Sequence, residues 1–350
     1  MVTFTMNGKE ITAKEGTSLL EAARDNGVKI PTLCYDKSLS IYGGCRMCIV
    51  EIEGSNKLVA SCTDKVCEGM VVFTESDRVI KTRQDILGLI LSNHPKDCLT
   101  CEKGGSCELQ DYAYQYGVRG PSFIGEQTNY EVESSSNPAI ERDLSKCILC
   151  GKCVRVCSEV QASDVINFAG RGFETKIATG FDLPLSTDNC RLCGQCVSVC
   201  PTGALTNKDF KGVRPWESGK VRTTCPFCGT GCNFDLNVKD GKVVGVTPNP
   251  DSPVNGTELC VKGRFHTDLI SSPNRLTKPL IKVDGKFEET SWEIALDTVA
   301  KNLMNIKETY GPDSISGLSS ARCTNEENYL FQKMMRAVIG THSVDHCART

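Results

Sequence analysis

Residues 147–157 read Cys-Ile-Leu-Cys-Gly-Lys-Cys-Val-Arg-Val-Cys, and residues 190–201 read Cys-Arg-Leu-Cys-Gly-Gln-Cys-Val-Ser-Val-Cys-Pro. Both follow C-x2-C-x2-C-x3-C, so the chain holds an internal repeat of four thiols at fixed spacing. In such a run, three thiolates of one unit and the fourth of the other hold one four-iron cubane. The expected ligand sets are Cys147, Cys150, Cys153 and Cys200 for one [4Fe–4S] cluster, and Cys157, Cys190, Cys193 and Cys196 for the other. Crossed ligands fix two clusters close together, which gives the repeat a mechanical reason. Ser158 stands where the first unit would carry proline, and the 32 residues between the halves predict an inserted hairpin or loop. Zinc competes for paired cysteines, but this spacing is not a zinc pattern.

The other cysteines fall into groups on either side. Cys34, Cys45, Cys48 and Cys62 are spaced C-x10-C-x2-C-x13-C, and Tyr42-Gly-Gly-Cys45 puts glycines where backbone amides must approach sulfide. Four thiolates suit [2Fe–2S] or a zinc knuckle; plant-type ferredoxins use a different spacing. His94, Cys98, Cys101 and Cys107 read H-x3-C-x2-C-x5-C. Alone, His94 is a histidine favoured at a helix C-terminus. Three cysteines lacking a fourth partner make it the expected fourth ligand of a [4Fe–4S] cluster, with zinc as the alternative. Cys225, Cys228, Cys232 and Cys260 give C-x2-C-x3-C-x27-C, read as a further [4Fe–4S] set or half a zinc ribbon. Lys262 follows the last ligand closely enough to sit beside an anionic cluster; its alternative is a solvated lysine. Cys67, Cys323 and Cys347 are left without a role, and His266, His342 and His346 have no ligand spacing. The expected content is one [2Fe–2S] and four [4Fe–4S] clusters, about 18 iron atoms.

Composition agrees with metal rather than disulfides. The chain has 350 residues, 22 of them cysteine, with 40 Lys+Arg against 43 Asp+Glu and a net charge of −3. A chain of reduced thiols belongs in the cytosol, and a cytoplasmic location is expected. The N-terminal residues Met1–Glu10 lack the apolar segment of a secretory signal. Ile86–Leu91 is far short of the ~20 apolar residues of a membrane span. No basic field marks a nucleic-acid partner.

Residues 1–75 pattern as ββαβββ, a β-grasp order. Val2–Met6 and Glu10–Ala13 flank the hairpin turn Asn7-Gly8, and Ser18-Leu-Leu-Glu21 opens a helix that Gly27 can end. Strands are expected at 48–52, 58–62 and 70–73, and an amphipathic helix over 77–93. Residues 126–143 and 208–219 read as linkers. Leu236–Val246 reads as a hairpin turning at Asp240-Gly241. Beyond 290 the texture becomes α/β: Thr290-Ser-Trp-Glu293 caps a helix to about 309, 314–319 reads as a strand, and Thr324-Asn-Glu-Glu327 caps a helix ended by Gly340. One strand between two helices cannot make a parallel sheet, so the chain is expected to stop inside a domain.

On these motifs, residues 1–210 resemble the cluster-bearing arm shared by the large iron–sulfur subunit of respiratory complex I and iron-only hydrogenases. Cys225-Pro-Phe-Cys-Gly-Thr-Gly-Cys232 with Cys260-Val-Lys-Gly-Arg264 resembles the opening domain of molybdopterin oxidoreductases. Ser319–Tyr329 and Val344-Asp-His-Cys-Ala-Arg349 are similar to stretches of formate dehydrogenase catalytic chains of the selenocysteine type. The resemblance implies an α+β multi-domain chain: a β-grasp [2Fe–2S] ferredoxin domain (1–78), a [4Fe–4S] segment with one His and three Cys ligands (79–118), a bacterial 2×[4Fe–4S] ferredoxin domain (138–209), a [4Fe–4S] molybdopterin-oxidoreductase domain (218–274) and an incomplete α/β domain (275–350).

It also implies formate/CO2 chemistry at a molybdenum or tungsten bis-molybdopterin guanine dinucleotide, held only by a longer protein. Lys262 resembles the lysine that bridges cubane and pterin. A redox partner is implied, whether an NAD-linked flavoprotein, a ferredoxin or a hydrogenase subunit. In that family the metal ligand, selenocysteine or cysteine, directly follows the stretch ending at 349–350. The expectation is therefore a UGA codon after Thr350, no catalytic residue within the chain, and no formate activity for these 350 residues alone. The alternatives are a complex I-like or NAD-linked hydrogenase subunit, or a stand-alone multi-cluster electron carrier. Nothing after Cys200 resembles the hydrogen-cluster cysteines of iron-only hydrogenases.

Overall fold

A computed structural model describes residues 1–347; Ala348, Arg349 and Thr350, on which the end of the formate dehydrogenase-like stretch and the codon expectation fall, lie outside the described residues. The chain divides into two compact units, Met1–Ser218 and Gly219–Thr350.

The first unit begins with β1 (Val2–Met6) and β2 (Lys9–Ala13), followed by α1 (Leu19–Asp25), β3 (Ile49–Ile52), β4 (Val59–Ala60) and β5 (Val71–Phe73). Asn7 and Gly8 both take positive φ, the geometry of the tightest hairpin turn. The sheet order is β2-β1-β5-β3-β4, with β1 antiparallel to β2 and parallel to β5. That is the expected β-grasp order. Alternation turns Phe4, Met6, Ile11 and Ala13 inward against Leu19, Leu20 and Ala23 of α1. Each large aliphatic buried there contributes roughly 1.5–3 kcal/mol. The Ser18 hydroxyl caps α1 by accepting from the Glu21 amide at 3.2 Å. Glu21 accepts a bond from the Tyr35 hydroxyl, 2.5 Å away.

Helix α2 (Asp77–Ser92) starts at the Ser76 cap, and α3 (Glu108–Gln115) follows the cysteine loop. Leu33, Met47, Leu87, Leu109 and Tyr116 form one cluster that seals these helices against the first cysteine loop. Strand β6 (Ile140–Arg142) pairs antiparallel with β9 (Leu205–Asn207), and between them lie α4 (Lys152–Arg155), the hairpin of β7 (Ile166–Ala169) with β8 (Lys176–Thr179), and α5 (Gln195–Val199). The hairpin is the insertion expected between the two cysteine units.

The two expected linkers carry little regular structure, and the boundary between the two units falls within the second. In 126–143 some polar residues nonetheless bond inward: Glu133 pairs with Arg142, and buried Asn137 accepts from the amides of Ala139 and Ile140 at 3.0 and 2.8 Å. Low apolar content there combines exposed residues such as Glu126, Gln127 and Asn129 with polar groups satisfied internally. In 208–219 two short 3₁₀ turns form, and Arg214 donates to the carbonyls of Leu99 and Cys101.

In the second unit, β10 (Gly219–Thr224), β11 (Asn233–Lys239) and β12 (Lys242–Pro248) form an antiparallel sheet turning at Asp240 and Gly241. Helix α6 (Val261–Phe265) begins directly after Cys260. A hairpin of β13 (Leu280–Val283) and β14 (Lys286–Glu289) leads to α7 (Trp292–Tyr310). Its cap is Ser291, one residue later than expected, because Ser291 rather than Thr290 accepts from the Ile294 amide. Strand β15 (Gly317–Ser319) is shorter than expected, since Pro312–Ser314 is a 3₁₀ turn. Helix α8 (Asn325–Lys333) carries the expected Thr324/Glu327 capping box, and left-handed Gly340 ends the π-helical turn that continues it. Strand β16 (Val344–His346) pairs parallel with β15. The expectation of one unpaired strand is therefore corrected; three residues are too short to show a strand period. Among the described residues no helix is long and apolar enough to cross a membrane.

Candidate metal centres

The first thiol set gathers at the edge of the β-grasp core. Cys34, Cys48 and Cys62 are buried, and the sulfurs of Cys48 and Cys62 are 3.4 Å apart. The amide of Leu33 donates to Cys45 Sγ at 3.4 Å, and that of Cys45 to Cys34 Sγ at 3.5 Å. A hydrogen bond from Cys45 holds the Cys34 thiol at about 5, against the opposing effect of burial; backbone amides and the Arg155 charge act the same way. The bond from Cys62 likewise holds Cys48 at about 7, while Cys45 and Cys62 are pushed up by sharing those protons. Four thiols gathered and coupled in this way are a donor set that fits a metal centre.

The tandem repeat encloses two cavities. Cys147, Cys150, Cys153 and Cys200 line one, among Leu144, Ile166 and Leu205. Cys157, Cys190, Cys193 and Cys196 line the other. Each unit wraps its first thiol identically: Leu149 and Leu192 both take positive φ, and their amides lie 3.4 Å from Cys147 and Cys190 Sγ. A non-glycine residue in that conformation costs roughly 1–2 kcal/mol, so the loop holds this strain for the amide-to-sulfur contact. Left-handed Gly151 and Gly194 then start α4 and α5. Burial raises Cys147 to about 11 and Cys150 to about 12, and pushes Cys153 and Cys196 up as well. Thiolates in an apolar cavity are costly without a compensating cation, and bound iron deprotonates coordinating thiols outright. The donor chemistry fits clusters.

His94, Cys98 and Cys107 line a third cavity beside Leu109 and Val118. Cys101 is buried next to it and interacts electrostatically with Cys98 and Cys107. Burial depresses the His94 pKa, and its Nδ1 is buried without a hydrogen-bond partner. A neutral imidazole with an orphaned nitrogen is what a metal-ligating histidine requires. Nearby, Lys146 is fixed by Asp97 at 3.1 Å and Asp143 at 2.9 Å.

In the second unit, the amide of Cys225 donates to the Cys232 carbonyl at 2.7 Å, closing the loop that carries Cys228. Cys225 is buried, whereas Cys228 and Cys260 are exposed. The Thr230 hydroxyl, 3.2 Å from Cys228 Sγ, lowers that thiol's pKa, followed by the Thr230 amide and the charges of Lys262 and Arg322. The Gly229 amide donates to the Ala321 carbonyl at 3.0 Å, and a Cβ at Gly229 would lie within 3.0 Å of the same oxygen. Cys347 Sγ lies 3.5 Å from the Ser320 hydroxyl. The Cys228 turn, residues 320–323 and Cys347 thus converge where the C-terminal ends of parallel β15 and β16 open, the usual ligand position in α/β sheets.

Across the described residues no three of His, Cys, Asp and Glu converge on a point that one ion could occupy. Clusters do not ask for that, since each ligand of a cubane bonds a different iron and a two-iron cluster takes only two thiolates at each iron. Sequence reasoning missed the basic residues that grip these loops. Arg83, fully buried, donates to the carbonyls of Met47 and Ile49 at 3.0 and 2.8 Å, to Glu75 at 2.6 Å and to the Tyr116 hydroxyl at 2.7 Å. Arg155 does the same between two thiol sets. No local signal reveals them, because their partners lie 33 to 121 residues away in sequence where they leave their own helix and its flanks.

Buried thiol sets in ferredoxin-like frames define an iron–sulfur electron-transfer protein. Residues 1–77 match the 2Fe-2S iron-sulfur cluster binding domain, 83–121 the NADH-ubiquinone oxidoreductase-G iron-sulfur binding region, and 146–204 the 4Fe-4S dicluster domain. Residues 219–272 match the molybdopterin oxidoreductase Fe4S4 domain and 275–350 the molybdopterin oxidoreductase family. The whole chain is 41% identical to the NADPH-Fe(3+) oxidoreductase subunit alpha of Geobacter sulfurreducens, covering 40% of that protein. Over 99% of its length it is 32% identical to a Staphylococcus aureus protein provisionally named a formate dehydrogenase, covering 39% of it. A solved chain of an NAD+-reducing [NiFe]-hydrogenase superposes with a TM-score of 0.55 and 30% identity, over 61% of this chain and 90% of that one. The chain thus carries iron–sulfur domains over 1–204 and molybdopterin oxidoreductase domains over 219–350, and it is related to a chain of the NAD+-reducing [NiFe]-hydrogenase. It spans about 40% of the length of the curated relatives it matches.

Proposed function

We propose that these residues are the electron-transfer part of a formate dehydrogenase, interconverting formate and CO2 in a longer protein. The observation that carries this reading is the convergence of the Cys228 turn, residues 320–323 and Cys347 at the open ends of β15 and β16. A cluster loop packed against that opening puts an electron acceptor beside a substrate pocket. The provisionally named formate dehydrogenase supports the same reading.

In it, Cys34, Cys45, Cys48 and Cys62 hold [2Fe–2S], and the other four sets, His94 with its three cysteines included, hold [4Fe–4S]. A bis-pterin molybdenum or tungsten centre supplies, when bound, the two-electron oxidation of formate. Lys262, exposed on α6 with its charge acting on Cys228, would be the residue of this chain that contacts the pterin. Every thiol cavity then serves as a one-electron station, with potential set by hydrogen bonds and exposure. Electrons pass to an NAD-linked flavoprotein, ferredoxin or hydrogenase subunit.

Iron analysis and EPR on the anaerobically purified protein from its own cells test this. About 18 iron atoms, in both two-iron and four-iron signals that formate reduces, are expected. Zinc in place of iron, or signals reduced by NADPH but not formate, overturns it. The latter result favours the second reading, an NAD(P)-linked oxidoreductase arm, which the 41% identical relative supports. Residues 1–350 alone are expected to be inactive on formate.

A further inference from the structure

We propose that Arg155 is a positioning residue that links the Cys34/Cys45/Cys48/Cys62 centre to the Cys147/Cys150/Cys153/Cys200 centre, fixing their separation and raising their potentials. The inference rests on the ligand sets of the preceding reading and adds to them a residue that is no ligand. Arg155 closes α4, two residues before the crossed ligand Cys157. Its Nη2 donates to the carbonyl of Cys34 at 2.6 Å and to that of Cys150 at 3.4 Å, while Nε donates to the Gly151 carbonyl at 3.2 Å and Nη1 to that of Ser40. One planar guanidinium therefore joins the main chain of a thiol-bearing residue in each site. Only arginine has that fork, since a lysine is a point donor on a flexible stem.

The junction is built to hold the fork still. Glu159, one turn further on, accepts from the Ser40 amide at 2.7 Å and from its hydroxyl. The guanidinium lies over the Tyr42 ring, 5.5 Å from its centroid, and that ring stacks on Phe168 at 5.9 Å. Gly151 makes room: it takes a positive φ, and a Cβ there would meet Phe168 at 3.0 Å. Tyr42 comes from the first cysteine loop and Phe168 from the inserted hairpin, so both sites contribute to the clamp. A cation bonded to the ligand backbone stabilises the more negative, reduced form of an adjoining cluster, because charge and hydrogen bonding set cluster potentials.

An EPR-monitored redox titration of the holoprotein tests the assignment in Arg155→Gln and Arg155→Lys. In Arg155→Gln the two-iron and four-iron signals should keep their spin counts. The ratio of reduced to oxidised two-iron cluster at a fixed poise should fall about tenfold, equivalent to 59 mV for one electron. Arg155→Lys keeps the charge but loses the fork, and should show a smaller fall in the same direction. A merely structural arginine would lower melting temperature without moving these ratios, so assembled clusters with unchanged potentials in both variants overturn the proposal. Should Arg155→Gln fail to assemble, an unchanged ratio in Arg155→Lys overturns it equally. A wild-type protein lacking the two-iron signal fails the underlying ligand reading instead.

Discussion

The two units treat the same ligand chemistry in opposite ways. In residues 1–218 every thiol of the four sets except exposed Cys98 is buried or half-buried: Cys62 is fully buried, Cys34 and Cys48 nearly so, and arginines and lysines grip the loops from within. In residues 219–347 the Cys225 set lies at a surface, with Cys228 and Cys260 exposed, and α7 exposes Ile294, Leu296 and Val299. Identical donors therefore meet different solvent, and burial rather than ligand type separates their roles.

The largest effect should come from removing one ligand in each unit. Cys153→Ser is expected to lose four iron of about 18 and to destabilise residues 1–218, because three buried thiols and an apolar cavity are left without their cation. Cys260→Ser should lose the same four iron and leave the melting of residues 1–218 unchanged. Iron assay with thermal unfolding followed by circular dichroism and limited proteolysis reads both. Equal destabilisation by the two substitutions would break the contrast.

A smaller test uses one arginine from each unit. Arg83→Ala leaves the carbonyls of Met47 and Ile49 unpaired in the interior, and should cost about 3 kcal/mol or more. Arg222 pairs with Asp235 at 3.6 Å and Asp251 at 3.7 Å on the surface, so Arg222→Ala should cost below about 1 kcal/mol. Urea unfolding of the holoprotein gives both values. A cost at Arg83 as small as that at Arg222 would show that α2 is not anchored through this side chain.

What the sequence made legible follows the range of each interaction. Within each C-x2-C-x2-C-x3-C unit the spacing is short-range, and the repeat itself announces the exchange between units, so the two tandem sets read from the sequence are the sets that share a cavity, Cys200 with Cys147 and Cys157 with Cys190. The hairpin turns at Asn7-Gly8 and Asp240-Gly241 were legible because φ > 0 restricts the residue types there. The clamp residues were not: Arg155 reaches Cys34 across 121 positions, and nothing near Arg155 marks it. The order within 126–143 was hidden for a related reason. Glu133, Arg142 and Asn137 bond inward among exposed neighbours, which composition alone presents as solvation throughout. Strand β16 escaped because its register comes from β15, 27 positions away.

The finest test of the contrast is the titration of Glu133, the carboxylate inside the first unit. Burial acts to raise its pKa, but hydrogen bonds from Ser136 and Arg142, the Arg142 charge and the Leu185 amide together hold it below the ordinary value. A carboxylate depressed in the folded state contributes stability that is complete above its unfolded pKa, about 4.3, and is lost as pH falls through the lower folded value. Wild-type protein should therefore lose stability more steeply below about pH 4.3 than Glu133→Gln, which has no charge there to protonate. Both proteins carry the same thiol sets, so acid effects on the clusters cancel in the difference. Urea midpoints between pH 6 and the onset of acid unfolding supply it. Parallel curves would mean that Arg142 is held by its neighbours in β6 and β9 and not by Glu133, and the 126–143 segment would then owe its order to its other bonds, those of Thr128, Tyr130 and Asn137 among them.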